Sequence, residues 1–168
     1  MRSYVDADQT QNDFAAADDF LKVEKERRQP SVNDSNEFID SLRSKNFVAW
    51  AESLGDGPNL NGKSMAEYLD RLKKALALDA SSKRAKFLVA RIAIHSPEFA
   101  EQAKAIHDFE SVDPASILST GSSYLGDRDI PPAVFYLEFA ASKLPNDATC
   151  LNNLALSLIH ISEPTRPY

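Results

Sequence analysis

The sequence predicts an all-α fold with no sheet, built as a solenoid of stacked αα-hairpins. Three observations predict it. Apolar residues recur at helical spacing along most of the chain, and no segment reads as a strand. Clusters of Gly, Pro, Asn and Asp separate these runs and mark loops. Residues that close helix pairs, Ala80, Pro114 and Pro145, recur at spacings of 34 and 31 residues. A recurrence of about that size means units that bury their faces only against neighbours, and the second spacing, three short of the first, implies a tightened hairpin or a local irregularity.

The elements follow in order. Residues 1–10 are polar and are expected to be disordered. Phe14, Ala17, Phe20, Leu21 and Glu24 hold helical spacing, which predicts a helix over about 11–28. Gln29 to Ser35 is a linker. Asn36 opens a second helix, with Phe38, Leu42, Phe47, Trp50 and Leu54 as its apolar face, ending before Gly55. Trp50 is expected as a core anchor. These two helices, 11–54, form a cap or a degenerate repeat. Residues 55–63 form a loop. Ser64 caps the next helix, and Glu67, three residues on, completes a capping box. Its inward residues are Tyr68, Leu72 and Ala75. Ser82 to His95 is a helix with Ala85, Leu88, Val89 and Ile92 as its core face. Ser96-Pro97 opens another through Phe99, Ala103, Ile106 and Phe109, closed by Val112-Asp113-Pro114.

Pro114 to Pro145 is the clearest hairpin. Ile117, Gly121 and Tyr124 share one helical face, and Ala133, Leu137 and Ala140 share another. Asp127 to Pro132 turns between them, with Asp129 at the N-cap and Pro131 and Pro132 in the first turn, where proline costs little. Gly121 and Ala133 are expected at the crossing, where small residues let helices approach. Pro145 stops the second helix. This hairpin resembles a tetratricopeptide repeat, whose 34-residue signature is W-x2-L-G-x2-Y, A-x3-F, then P. Gly121, Tyr124, Ala133, Ala140 and Pro145 match it, and Ile117 and Leu137 keep apolar bulk. Thr120 departs, standing where the family has Leu. Residues 64–155 then hold about two and a half repeats, the last begun by Leu151, Leu154 and Ala155.

The resemblance implies a scaffold that binds a peptide segment of a partner in a concave groove, without catalysis and without a cofactor. In this family the first helix of each repeat lines that groove. Carried over position by position, the groove residues are Arg84, Phe87 and Arg91, then Ala115, Leu118 and Ser122, then Thr149 and Asn152. Arg84, Phe87 and Arg91 lie at i, i+3 and i+7, one helix face. Two guanidinium groups beside an aromatic suit a carboxylate-bearing segment, so the expected partner is a protein or peptide, acidic in character.

Composition narrows the other classes. The net charge is −6, which argues against general nucleic-acid binding. Residues 63–91 nevertheless carry eight basic side chains against three acidic ones, which could steer an acidic peptide. The one cysteine, Cys150, cannot form an internal disulfide. No apolar run reaches the ~18 residues of a membrane span. The first residues show no secretory pattern, so the cytoplasm is the default expectation. His95 and His107 have no partners at metal-ligand spacing.

One enzyme-like motif stands apart. Gly57-P-N-L-N-Gly62-Lys63-Ser64 fits G-x-x-x-x-G-K-[ST], the phosphate-binding P-loop. That motif needs a buried strand before it, and A-W-A-E-S-L-G-D is a poor one. A P-loop nucleotide-binding protein is therefore the alternative reading. A third is an accessory repeat region of a larger enzyme. Leu156 to Arg166, L-S-L-I-H-I-S-E-P-T-R, resembles the codon-by-codon translation of a transposase adapter used in sequencing libraries. This resemblance implies a non-native tail over 156–168 and a last repeat cut short at Ala155. Apolar surface at Leu151 and Leu154 is then expected to drive self-association.

Overall fold

No glycine or proline interrupts residues 2–27, and the chain there runs as one helix, α1 (Arg2–Arg27). The computed structural model describes residues 2–27 and 33–162, with side chains over 11–27 and 36–160. The described residues form eight α-helices and three short 3₁₀ turns, and no strand occurs among them. The chain divides into two compact units, one up to Phe109 and one from Glu110, so the boundary falls inside the expected repeat region 64–155.

In the first unit, α1 packs on α2 (Asn33–Glu52), α2 on α3 (Gly62–Leu78), α3 on α4 (Lys83–His95) and α4 on α5 (Ala100–Ile106). Helix α1 begins at Arg2, not near residue 11, and α2 begins at Asn33, not Asn36. The expected linker lies partly outside the described residues.

The face that α1 buries also differs from the expected one. Phe20 is 68% exposed, whereas Asp18 is only 3% exposed. The reason is a polar seam between α1 and α2. Arg43 Nε donates to Asp18 Oδ1 at 2.7 Å, and Lys22 Nζ lies 2.9 Å from Asp18 Oδ2. Asn46 donates to the Phe14 carbonyl at 2.9 Å, and Lys25 pairs with Asp40. Helix α1 thus turns its Gln11, Phe14, Ala15 and Asp18 side inward. On α2 the buried residues are Ile39, Ser44, Phe47, Val48 and Ala51, and Phe38 points outward.

Helix α3 starts at Gly62 with Asn61 at the N-cap position. Ser64 is therefore inside the first turn, and the Ser64–Glu67 capping box does not form. Glu67 instead faces Arg71 at 3.6 Å. Tyr68, Leu72 and Ala75 are buried, as their spacing predicts. Helix α4 follows its reading closely: Ser82 accepts from the Ala85 N–H, and Ala85, Leu88, Val89 and Ile92 are all buried. The helix expected from Ser96 is broken. A 3₁₀ turn at Pro97–Phe99 leads into the short α5, and another 3₁₀ turn follows at Phe109–Ser111.

In the second unit, α6 (Pro114–Gly126) packs on α7 (Ile130–Lys143), and α7 on α8 (Ala148–Ser162). Asp113 caps α6, accepting from the Ser116 N–H at 3.1 Å, with Pro114 at the first position. Asp113→Ala should lower the stability of this unit by about 1 kcal/mol in thermal unfolding. Asp129 occupies the N-cap position of α7 without a side-chain bond. Ile117, Gly121, Tyr124, Ala133, Leu137 and Ala140 are all buried. A Cβ on Gly121 would lie 2.9 Å from Leu137 Cγ and 3.1 Å from Tyr136 Cβ. The close approach is thus between Gly121 and the Tyr136–Leu137 stretch, one turn beyond the expected Ala133. Tyr124 and Tyr136 stack with centroids 5.6 Å apart.

Asp147 begins α8 by accepting from the Cys150 N–H at 2.7 Å. Cys150 is fully buried and its thiol faces the Leu137 carbonyl at 3.8 Å. Burial pushes that thiol's pKa up, and the Asp147 carboxylate adds to the rise. The helix runs on to Ser162 through the first residues of the adapter-like segment, and Ser157 is buried within it.

Candidate functional site

Helix α4 carries the arginine pair. Ser82 starts the helix, and its buried face fixes the rotation that sets Arg84, Phe87 and Arg91 along one side. Phe87 is buried. The Arg84 guanidinium carbon lies 5.4 Å from the Phe87 ring centroid, and that of Arg91 lies 5.6 Å from it. The ring therefore works as a hydrophobic and cation–π footing for two guanidinium groups, holding them in place.

Both groups already hold carboxylates of the same chain. Arg84 Nη2 and Nε donate to Glu52 Oε1 at 2.6 and 2.9 Å. Arg91 Nη2 donates to Asp56 Oδ1 at 2.8 Å. Glu52 is the last residue of α2, and Asp56 precedes the 3₁₀ turn Gly57–Asn59. Both ion pairs are partly exposed to solvent. Pairs of this kind are worth about 0–1 kcal/mol each and exchange readily. Beneath them, burial first and then the Glu52 carboxylate push the Tyr68 phenol far above its ordinary pKa, so it stays neutral. The arrangement is thus two partly exposed arginine–carboxylate pairs standing on one buried ring.

The other expected groove residues lie in the second unit. Leu118 is half-buried on α6, and Ser122 Oγ donates to its carbonyl at 2.8 Å. Ser122 Oγ also accepts from Asn153 Nδ2 at 2.8 Å. Asn153, not Asn152, thus makes the polar link from α8 to α6. Asn152 is exposed. Leu118 and Ser122 are brought together and Asn152 is not joined to them.

The phosphate-loop residues take other roles. The segment before the motif is helix α2, not a strand. Gly57 is buried, and a Cβ there would meet Ile92 Cδ1 and the Tyr68 ring at 2.9 Å. Its need for glycine comes from packing. The Asn59 and Leu60 N–H groups donate to the Asp56 and Gly57 carbonyls, so they close a turn and do not face a ligand. The Lys63 side chain is 92% exposed. Ser64 lies inside the first turn of α3.

A cleft that spacing alone does not reveal lies in the first unit. It measures about 460 Å³ and is lined by Asp18, Lys22, Arg43, Phe47, Trp50 and Lys74, among others. Trp50 stacks on Phe47 at 5.8 Å and on Phe14 at 6.3 Å. The Arg71 guanidinium sits 4.5 Å over its ring, and its Nε1–H donates to Gln11. Trp50 is thus part of a half-buried aromatic wall.

Among the described residues no group of three or more His, Cys, Asp and Glu side chains could hold a metal ion. No described helix is long and apolar enough to cross a membrane. Comparison with protein-family models, with curated proteins and with solved structures finds no match to this chain.

Proposed function

We propose that this chain is a protein-interaction scaffold of the tetratricopeptide type, taking an acidic peptide segment of a partner on the Arg84–Phe87–Arg91 face. One observation carries the reading. Two arginines footed on one buried ring each hold a carboxylate, so the face has the donors and the spacing that a doubly acidic ligand needs. The burial of the signature positions Ile117, Gly121, Tyr124, Ala133, Leu137 and Ala140 in the α6–α7 hairpin supports the repeat type.

The spacing suggests the ligand. Arg84 and Arg91 are two helical turns apart, about 10 Å along the axis. A polyproline-II segment returns to the same face every third residue, about 9 Å on. A peptide with acids at i and i+3 therefore fits. It binds by displacing Glu52 and Asp56, at a cost of about 1 kcal/mol for the two exposed pairs together.

Fluorescence anisotropy with an array of such peptides tests this. Arg84→Ala with Arg91→Ala should weaken binding at least about tenfold, the worth of a charge-assisted contact. Glu52→Gln with Asp56→Asn should tighten it roughly fivefold. If no peptide in the array distinguishes the arginine variant from the parent, the proposal fails.

A further inference from the structure

The cleft of the first unit is built as a pocket closed at one end. Helix α2 gives its floor, and α1 and α3 give its walls, with Ala15 on one wall and Ala77 and Leu78 on the other. Arg71 Nη1 donates to the Trp50 carbonyl at 3.1 Å and Nη2 to Gln11 Oε1 at 2.8 Å, which ties all three helices together beside the indole and plugs that end. From the plug the lining runs past Phe47 to Arg43, two helical turns or about 10 Å from Trp50. The Phe47 and Trp50 rings lie 18° from parallel, so the floor is aromatic and nearly flat. Alanines at 15 and 77 leave room above it, and a volume of about 460 Å³ suits a small molecule. Three bases line the cleft, Lys22, Arg43 and Lys74, against two acids, Asp18 and Asp19. Asp18 is committed to Arg43 and Lys22, and Asp19 lies 3.1 Å from Lys22. Lys74 is differently placed. Its ammonium stands 6.0 Å over the Phe47 ring, and it pairs with Asp70, one turn back on its own helix, where both side chains are more than half exposed. A pair of that kind exchanges readily.

We infer that this cleft binds a flat aromatic acid, its ring system against Phe47 and Trp50 and its carboxylate on Lys74. Ring and charge are both required. A cationic ligand would enter among three bases. A neutral aromatic would press the Lys74 ammonium out of water and give it no partner. A helical peptide, which spreads its anchors over two turns or more, runs into the plug at Arg71. A fused two-ring acid instead fits the floor between Trp50 and Arg43, and its carboxylate takes the place of Asp70. The cleft shares no residue with the Arg84–Phe87–Arg91 face, so the inference is independent of the peptide reading.

Isothermal titration calorimetry of the full chain tests it, with naphthoate as the probe and neutral naphthylmethanol and cationic naphthylmethylamine beside it. The parent should bind naphthoate with a Kd below about 1 mM, and the alcohol and the amine at least about fivefold more weakly. That series needs no variant. Lys74→Gln and Ala77→Phe then locate the site; both positions are exposed, and circular dichroism confirms that each variant folds. Lys74→Gln should weaken naphthoate about fivefold and leave the alcohol unchanged. Ala77→Phe, which fills the cleft, should weaken both at least about tenfold. The Arg84→Ala with Arg91→Ala variant should bind naphthoate as the parent does. No heat from naphthoate at millimolar concentration overturns the inference, as does equal affinity for the three probes. So does parental affinity in Lys74→Gln or Ala77→Phe, or loss of naphthoate binding in the arginine double variant, which would put the acid on the other face.

Discussion

Asp18→Ala should destabilise the first unit by about 3 kcal/mol. The carboxylate is buried and bonded to Arg43 at 2.7 Å, with Lys22 at 2.9 Å. Removing it leaves Arg43, itself mostly buried, with only Asp40 at 3.8 Å. The damage comes from the orphaned guanidinium more than from the lost bond. Replacing both partners, Asp18→Leu with Arg43→Met, should therefore recover much of the loss, because two apolar side chains leave no buried charge. A double variant as unstable as Asp18→Ala would refute that account. Urea denaturation followed by Trp50 fluorescence measures all three. The pH dependence is a second check. Burial raises the Asp18 pKa, but hydrogen bonds from Arg43 and Lys22, with their charges, outweigh it and hold the carboxyl below its ordinary value. The unfolded chain then takes up this proton first as pH falls. The stabilisation is complete above the unfolded value of about 3.9 and is lost as pH falls towards the folded one. The gap between parent and Asp18→Ala should accordingly narrow below about pH 4.

Gly121→Val should destabilise the second unit by about 2 kcal/mol, read from its thermal transition. The new Cβ would stand 2.9 Å from Leu137 Cγ and 3.1 Å from Tyr136 Cβ. Those atoms lie at the bases of buried side chains, so α6 and α7 must move apart. Gly121→Ala meets the same contact but gains about 1 kcal/mol of helix propensity, so its net effect is smaller. Equal stability of the valine variant and the parent would mean that the crossing is looser than described.

How much of this was legible in the sequence depends on what fixes each feature. The α6–α7 hairpin and α4 were readable because backbone chemistry sets them. Pro114 and Pro131 can stand only in a first turn, Ser82 offers a capping oxygen, and Gly121 marks a close approach. Helix α1 was misread because periodicity ranks side chains by hydrophobicity. Phe20 is therefore expected to face inward, and Asp18 is not among the inward residues that spacing selects. The pairing that reverses them joins Asp18 to Arg43, 25 residues away, and nothing in a local window records it. The arginine face behaves similarly. Its spacing on α4 was visible, but Glu52 and Asp56 reach it from 32 and 35 residues upstream. The Ser64–Glu67 box failed for a smaller reason: the helix starts three residues earlier, which carries the serine past the capping position. The cleft forms only once α1, α2 and α3 are side by side, so no single segment of the sequence marks it.

The chain holds a single tryptophan and a single cysteine, and they fall in different units. Trp50 sits in the aromatic wall of the first, and the Cys150 thiol is sealed under α7 in the second. Each half of the molecule therefore comes with its own intrinsic reporter. Emission from the indole follows the opening of one half, while the rate of alkylation by a thiol reagent follows the other. One unlabelled sample can thus show whether the two halves melt in concert or in succession.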